Sequence, residues 1–288
     1  MILGCHLSIA GGVHRALERA ADLKLDALAM FVRNQRQWKA PPLSADEAEL
    51  FRQTRQNLHI GPIVAHASYL INLAGEKLVR GRSMAAMADE LDRARRLGID
   101  AYVFHPGSCS DTELGIARIA EALNSLADVP ERQGEPMPRI LMETTAGQGN
   151  SIGCRPDHLA GIFERLEKPQ RFGVCLDSCH VFAAGWDIRT PAGYARMWDD
   201  WGELLAPTRL LAIHLNDSLK VADSHVDRHA HIGEGEIGAK GLARLINDER
   251  LSAVPFILET PKGETDDGED FDAVNARAAR KLEKRPRR

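Results

Sequence analysis

Residues 172–180 read Phe172-Gly173-Val174-Cys175-Leu176-Asp177-Ser178-Cys179-His180, a short apolar run that stops on a carboxylate. Seven further runs of the same kind occupy 2–5, 27–31, 62–65, 101–104, 139–142, 210–213 and 255–258. Between them lie longer segments of helical periodicity, and this alternation is the pattern of βα units around a parallel sheet. In 83–97, for example, Met84, Met87, Leu91 and Leu97 fall near one face while Asp89, Asp92, Arg93 and Arg96 stay polar, and Gly98 supplies a stop. Eight units in 288 residues average 36 residues each. The expected fold class is α/β, a single (β/α)8 TIM barrel spanning 1–288.

One residue past each run stand His6, Val32, His66, His105, Glu143, Asp177, His214 and Glu259. Seven of these eight are metal-ligand types, and all strand carboxyl ends of a barrel share one face, the face that carries the active site. From His66 onward the steps are 39, 38, 34, 37 and 45 residues, each about one βα unit. Any one of these groups alone reads as a structural hydrogen bonder. Together they would form a cluster of buried imidazoles and carboxylates whose uncompensated charge costs several kcal/mol. Divalent cations supply the compensation. His180 and the loop segment Asp227-Arg228-His229 add further donors just beyond strand ends. The mixture of imidazole and carboxylate suits zinc or manganese; Cys179, between Leu176 and Val181, reads as a small packed hydrophobe.

Composition narrows the function. With 44% hydrophobic residues the chain can bury a full core, and its 37 basic against 41 acidic residues leave a formal charge of −4. That balance excludes a grip on nucleic acid by bulk electrostatics, so phosphate binding has to be local. Five cysteines without a C-x-x-C pair argue against a disulfide framework and for a cytoplasmic location. No apolar run approaches the ~18 residues of a membrane span. P-loop, G-x-S-x-G and G-x-G-x-x-G patterns are absent, so no nucleotide cofactor is expected. Residues 281–288 carry five basic side chains and read as a frayed tail.

The motifs resemble the endonuclease IV type of apurinic/apyrimidinic (AP) DNA endonuclease over almost the whole chain. The resemblance rests on Asn34-Gln35-Arg36-Gln37-Trp38, on His66-Ala67-Ser68-Tyr69-Leu70-Ile71-Asn72-Leu73, and on Phe104-His105-Pro106-Gly107-Ser108. It continues through Leu141-Met142-Glu143, Thr145-Ala146-Gly147-Gln148-Gly149, residues 174–180, and His214-Leu215-Asn216-Asp217-Ser218. Asp227-Arg228-His229, Ile232-Gly233-Glu234-Gly235 and Ile257-Leu258-Glu259-Thr260 complete it. The family implies three zinc ions, with manganese as an alternative at one site. They would be held by His66, His105 and Glu143; by Glu143, Asp177, His214 and Glu259; and by His180, Asp227 and His229. Glu143 would bridge the first two and be central to catalysis, and three such ions would turn the formal −4 into about +2. The implied reaction is hydrolysis of the phosphodiester 5′ of an abasic site in damaged duplex DNA, leaving a 3′-hydroxyl and a 5′-deoxyribose phosphate. Arg36, Tyr69 and Leu70 are the implied DNA-binding residues.

Two departures stand out: Thr144 where asparagine is expected, and His231, an extra imidazole expected near the third metal. His6 fits the barrel logic without being a family ligand. A monomer is expected. The alternative enzyme is a metal-dependent TIM-barrel sugar isomerase, for which no strand-end lysine is seen; a catalytically silent lesion binder is opposed by Glu143, Asp177 and Glu259.

Overall fold

A computed structural model describes residues 1–127 and 135–284. Eight parallel strands close into a barrel: β1 (Ile2–His6), β2 (Ala27–Phe31), β3 (Ile63–His66), β4 (Ala101–Phe104), β5 (Arg139–Glu143), β6 (Phe172–Asp177), β7 (Leu210–His214) and β10 (Pro255–Leu258). Around the barrel the order is β1-β10-β7-β6-β5-β4-β3-β2, and every neighbouring pair is parallel. Helices α1 (His14–Asp22), α2 (Ala45–Leu58), α3 (Lys77–Leu97), α4 (Thr112–Ala127) and α5 (Pro156–Phe163) return the chain between the first strands. After β6 come α6 (Ser178–Ala183) and α7 (Pro191–Trp201); α8 (Gly238–Ile246) precedes β10 and α9 (Phe271–Leu282) follows it. Among the described residues no helix is long and apolar enough to cross a membrane.

The expected strands are recovered within one residue at their ends. Five run one residue further, so that His6, His66, Glu143, Asp177 and His214 are final strand residues. Backbone pairing is indifferent to a polar side chain that faces the lumen, and the ladders continue through Phe31↔His66, Glu143↔Cys175 and Asp177↔His214. Helix α3 starts six residues earlier than the periodic segment, at Lys77. Its first turns carry exposed Leu78 and Val79 and overhang the core, so they show no apolar stripe. Gly98 ends it in the left-handed region at φ 69°. At the other end, Lys281 and Leu282 close α9 rather than begin a tail, and the Lys284 amide donates to Asn247 Oδ1. The rest of the basic segment, 285–288, lies outside the described residues.

Two apolar cores result. The larger lies between sheet and helices, with Leu17, Phe51, Met87, Leu91, Tyr102, Phe104 and Trp201 fully buried or nearly so. The smaller fills the lumen with Ala27, Ala29, Val64, Ala101, Val103, Leu141, Cys175, Ala212 and Ile257. Strand period two then decides what sits above that plug: two residues beyond Val64, Val103, Leu141, Cys175, Ala212 and Ile257 come His66, His105, Glu143, Asp177, His214 and Glu259. The metal-ligand types therefore project onto the barrel axis, one layer above an apolar floor.

The loop after β7 folds into a ribbon of two short antiparallel strands, β8 (Asp217–Ser218) and β9 (His229–Ala230). Buried Asp217 organises it. Its two oxygens accept from the backbone N–H groups of Ser218, Gly233, Gly235, Ile237 and Gly238 at 2.8–3.2 Å. A Cβ on Gly235 would meet Asp217 Oδ1 at 2.6 Å, so glycine is required there. An Asp217→Asn amide offers one acceptor and turns a donor on the remaining N–H groups, leaving several unpaired. We expect a loss of roughly 3 kcal/mol, read as a lower urea midpoint; a loss under ~1 kcal/mol would remove Asp217 as the organiser of this loop.

Candidate metal centre

Glu143 is fully buried at the centre of the mouth. Its Oε1 lies 2.8 Å from His214 Nδ1, and its Oε2 lies 3.0 Å from His105 Nε2 and 3.3 Å from His66 Nε2. Glu259 Oε2 approaches His214 Nδ1 at 3.2 Å. The donor atoms of His66, Glu143, His214 and Glu259 all fall within 4.8 Å of one another, as do those of Glu143, Asp177 and His180. A second focus lies towards solvent, where Asp227 Oδ2 is 3.1 Å from His180 Nε2 and Asp227 Oδ1 is 3.3 Å from His229 Nε2. His229 Nε2 is also 3.7 Å from Asp177 Oδ2, so Asp177 stands between the two foci. All nine expected ligand residues thus gather at one mouth.

Ring orientation supports a metal. His66, His180 and His229 each use Nδ1 on a backbone carbonyl, those of Ala67, Thr144 and Glu259, at 2.8–2.9 Å. That contact fixes the tautomer and turns Nε2 inward, as second partners of metal-bound histidines do. Inside the mouth, Glu143 Oε2, His180 Nε2 and His229 Nε2 are buried and make no well-aligned hydrogen bond, although an imidazole or carboxylate atom stands 3.0–3.3 Å from each. Buried polar atoms are rarely left so, and cations at the inner and outer foci satisfy all three.

The electrostatics point the same way. Burial opposes ionisation of Glu143, yet the charges of His214 and His105 outweigh it and hold the carboxyl well below its usual range. For Asp227 burial is likewise outweighed, chiefly by the His180 contact, and its pKa falls to about 2. Burial works against a charged His180, but Asp177 and Asp227 overcome it and push the imidazole up to about 10. The carboxylates draw positive charge into the mouth, and protonated imidazole is what answers when no metal does. Cys179 is buried, its Sγ donates to the Arg228 carbonyl at 3.6 Å, and its sulfur lies within 4.8 Å of donor atoms of Asp177 and His229.

Several supporting residues carried no role in the sequence. Asn216, fully buried, donates from Nδ2 to Asp177 Oδ2 at 2.6 Å and accepts from the Glu259 amide at 2.8 Å, tying two ligand-bearing strands together. Thr144 accepts the Asp177 amide on Oγ1 at 2.9 Å while its carbonyl orients His180, so the departure at this position keeps a scaffolding function. His6 Nδ1 lies 2.8 Å from Glu259 Oε1 and orients that carboxylate. His231 does not belong to the outer focus: its ring stacks on Phe271 at 4.3 Å and its Nδ1 lies 3.0 Å from the Asn275 amide of α9, because β9 ends at Ala230 and the chain turns there, so strand alternation no longer keeps His231 on the face of His229. The cleft does hold a lysine. Lys262, four residues past β10, spends its three N–H groups on His6 O at 2.7 Å and on the Asp272 carboxylate at 2.6 and 2.9 Å, which leaves none for moving a proton.

A cleft of about 940 Å³ opens over the outer focus, lined by His6, Phe31, Gln35, His66, Tyr69, His105, His180, Asp227, His229 and Glu259. Tyr69 is 69% exposed and stands at its edge, its ring edge-on to Phe31 at 5.4 Å. Arg36 is exposed on the neighbouring loop and Leu70 is half-buried beside Tyr69.

Comparison with known proteins places this geometry. Residues 17–282 match the family model described as Xylose isomerase-like TIM barrel. The "Probable endonuclease 4" of Chloroflexus aurantiacus is 47% identical over 264 residues, 91% of this chain and 92% of that one. The crystal structure of endonuclease IV from Thermus thermophilus superposes with a TM-score of 0.84 at 38% identity, covering 98% of each chain. A D-tagatose 3-epimerase-like protein also matches, with a TM-score of 0.70 at 20% identity over 98% of this chain and 96% of that one, a likeness of fold alone. With its barrel, its mouth of imidazoles and carboxylates, and identity of this extent along nearly its full length, the chain belongs to the endonuclease 4 family of Xylose isomerase-like TIM barrels.

Proposed function

We propose that the chain is a zinc-dependent AP endonuclease that cuts the phosphodiester bond 5′ of an abasic site in duplex DNA, leaving a 3′-hydroxyl and a 5′-deoxyribose phosphate. The observation that carries this reading is the layer of donors from six strands around buried Glu143. His66, His105 and Glu143 would hold one zinc; Glu143, Asp177, His214 and Glu259 a second; His180, Asp227 and His229 a third, with manganese as the alternative occupant of one position. Bound there, zinc supplies Lewis acidity towards phosphoryl oxygen and an ionised water near neutral pH.

The chain's own residues do the rest. Glu143, Asp177, Glu259 and Asp227 put four carboxylates where a phosphate has to sit, so phosphate is repelled unless cations are present. Exposed Tyr69 and half-buried Leu70 on one loop and exposed Arg36 on the next would enter the base stack, where an apolar wedge holds a kink open. Extrusion costs least where no base is stacked, which favours an abasic nucleotide, and the cleft has the size of a small-ligand pocket. An isomerase reading has no use for an exposed Tyr69, and the lysine that lines the cleft among the described residues, Lys262, is already paired with Asp272. The same reading takes 1–288 as one domain, a monomer in the cytoplasm.

The test is a labelled duplex carrying one abasic analogue beside an intact duplex of the same sequence, with metal content measured in parallel. We expect a nick only in the lesion strand, on its 5′ side, with zinc bound at close to three ions per chain. A metal-replete protein that cuts neither duplex, or both equally, rejects the proposal.

A further inference from the structure

The two loops named above share one buried anchor. Glu90 of α3 is 1% exposed, and its carboxylate meets both loops. On one side Oε1 accepts from Arg33 Nε at 2.8 Å, and Arg33 Nη1 donates onward to the Gln37 carbonyl at 2.7 Å, so the pair brackets the turn that carries Arg36. On the other side Oε2 accepts from the Ser68 amide at 3.2 Å and from Tyr102 OH at 2.6 Å. Ser68 then ties the loops to each other: its Oγ donates to the Gln35 carbonyl at 2.7 Å and accepts from the Leu70 amide at 3.3 Å. Arg33 is 4% exposed and Tyr102 fully buried, so the Glu90 carboxylate at the centre of the network is shielded from water, while Arg33 Nε also lies 3.7 Å from the exposed Asp89 carboxylate.

A buried ion pair is a poor source of stability, because desolvation cancels most of the attraction and apolar residues of similar volume do as well. What such a pair supplies is fixed geometry. We propose that Glu90, with Arg33 and Ser68, is a positioning residue for lesion engagement, holding the Arg36 loop and the Tyr69–Leu70 loop in mutual register so that both enter the duplex as one unit. This rests on the DNA reading above.

The decisive variant is Arg33→Met/Glu90→Leu, which removes both charges together and leaves neither buried alone. We expect it to fold with unchanged zinc content and to keep kcat on an abasic duplex within about threefold, while KM and the Kd for that duplex rise ~10- to 100-fold. A 2-aminopurine opposite the lesion should brighten on binding to the unmodified protein and not to the variant. Tyr69→Ala should weaken the unmodified protein by its full factor and add less than threefold in the variant background, since both act on one step. If the double variant fails to fold, Tyr102→Phe, which removes one hydrogen bond to Glu90, serves with the same three readouts and a smaller shift in KM. An unchanged KM and 2-aminopurine signal, or a fall in kcat with KM unmoved, overturns the proposal. A different pattern marks failure of the underlying reading: there the unmodified protein itself neither prefers nor nicks the abasic duplex.

Discussion

Glu143→Gln is expected to lower kcat on an abasic duplex by at least ~10³-fold while leaving the barrel folded. Glutamine keeps the shape but removes the charge and half the acceptor capacity of a side chain whose two oxygens face His214 on one side and His66 and His105 on the other. It also turns an N–H₂ donor into a space where neighbouring atoms are waiting for a cation. Two of the proposed ions share this residue, so zinc content should fall by one or two ions per chain together with the rate. Single-turnover nicking and metal analysis on the same preparation check this. Glu76→Gln, 82% exposed beside Arg118, is the control and should alter neither quantity. A Glu143→Gln protein within tenfold of the unmodified rate would remove Glu143 from the centre of the chemistry.

The barrel and most of its mouth were legible in the sequence for one reason. A strand buried on both faces must be apolar along its length, so the residue at which Phe172–Asp177 turns polar is visible as a break, and the barrel carries every such break to the same end. Val32 shows the limit of the rule: β2 puts Phe31 in the lumen layer and Val32 in the packing between sheet and helices. Residues that act across the fold left no such mark. Glu90 sits on a helix in the run Asp89-Glu90-Leu91-Asp92, where a buried carboxylate reads like a solvated one; only the approach of β2, β3 and β4 reveals its partners Arg33, Ser68 and Tyr102. Lys262 and Asp272 pair across a loop. The β8–β9 ribbon consists of two-residue strands, too short for an alternating pattern, and so the sequence alone puts His231 on the metal face although the ribbon turns it towards α9.

Dialysis against a chelator is expected to abolish nicking, and to do so in two phases. Asp227 and His229 of the outer focus are 38% and 17% exposed, whereas Glu143, Asp177 and His214 are inaccessible, so the outer ion should leave first and the ion on Asp177 and His214 last. Each imidazole must shed a proton to bind metal, so both phases should quicken as pH falls. Loss of the last ion exposes buried carboxylates to one another and removes the free energy of binding from the folded state. At free zinc a thousandfold above its dissociation constant that term is about 4 kcal/mol per site. With 2–4 °C per kcal/mol for a domain approaching this size, loss of that last ion alone should lower the melting temperature by roughly 8–16 °C. Affinity for the abasic duplex should fall in step, because four carboxylates then face the phosphate unscreened. Zinc returned in stoichiometric amounts should restore rate, affinity and melting temperature together. Nicking that persists below a tenth of an ion per chain would break the link between this cluster of side chains and the reaction.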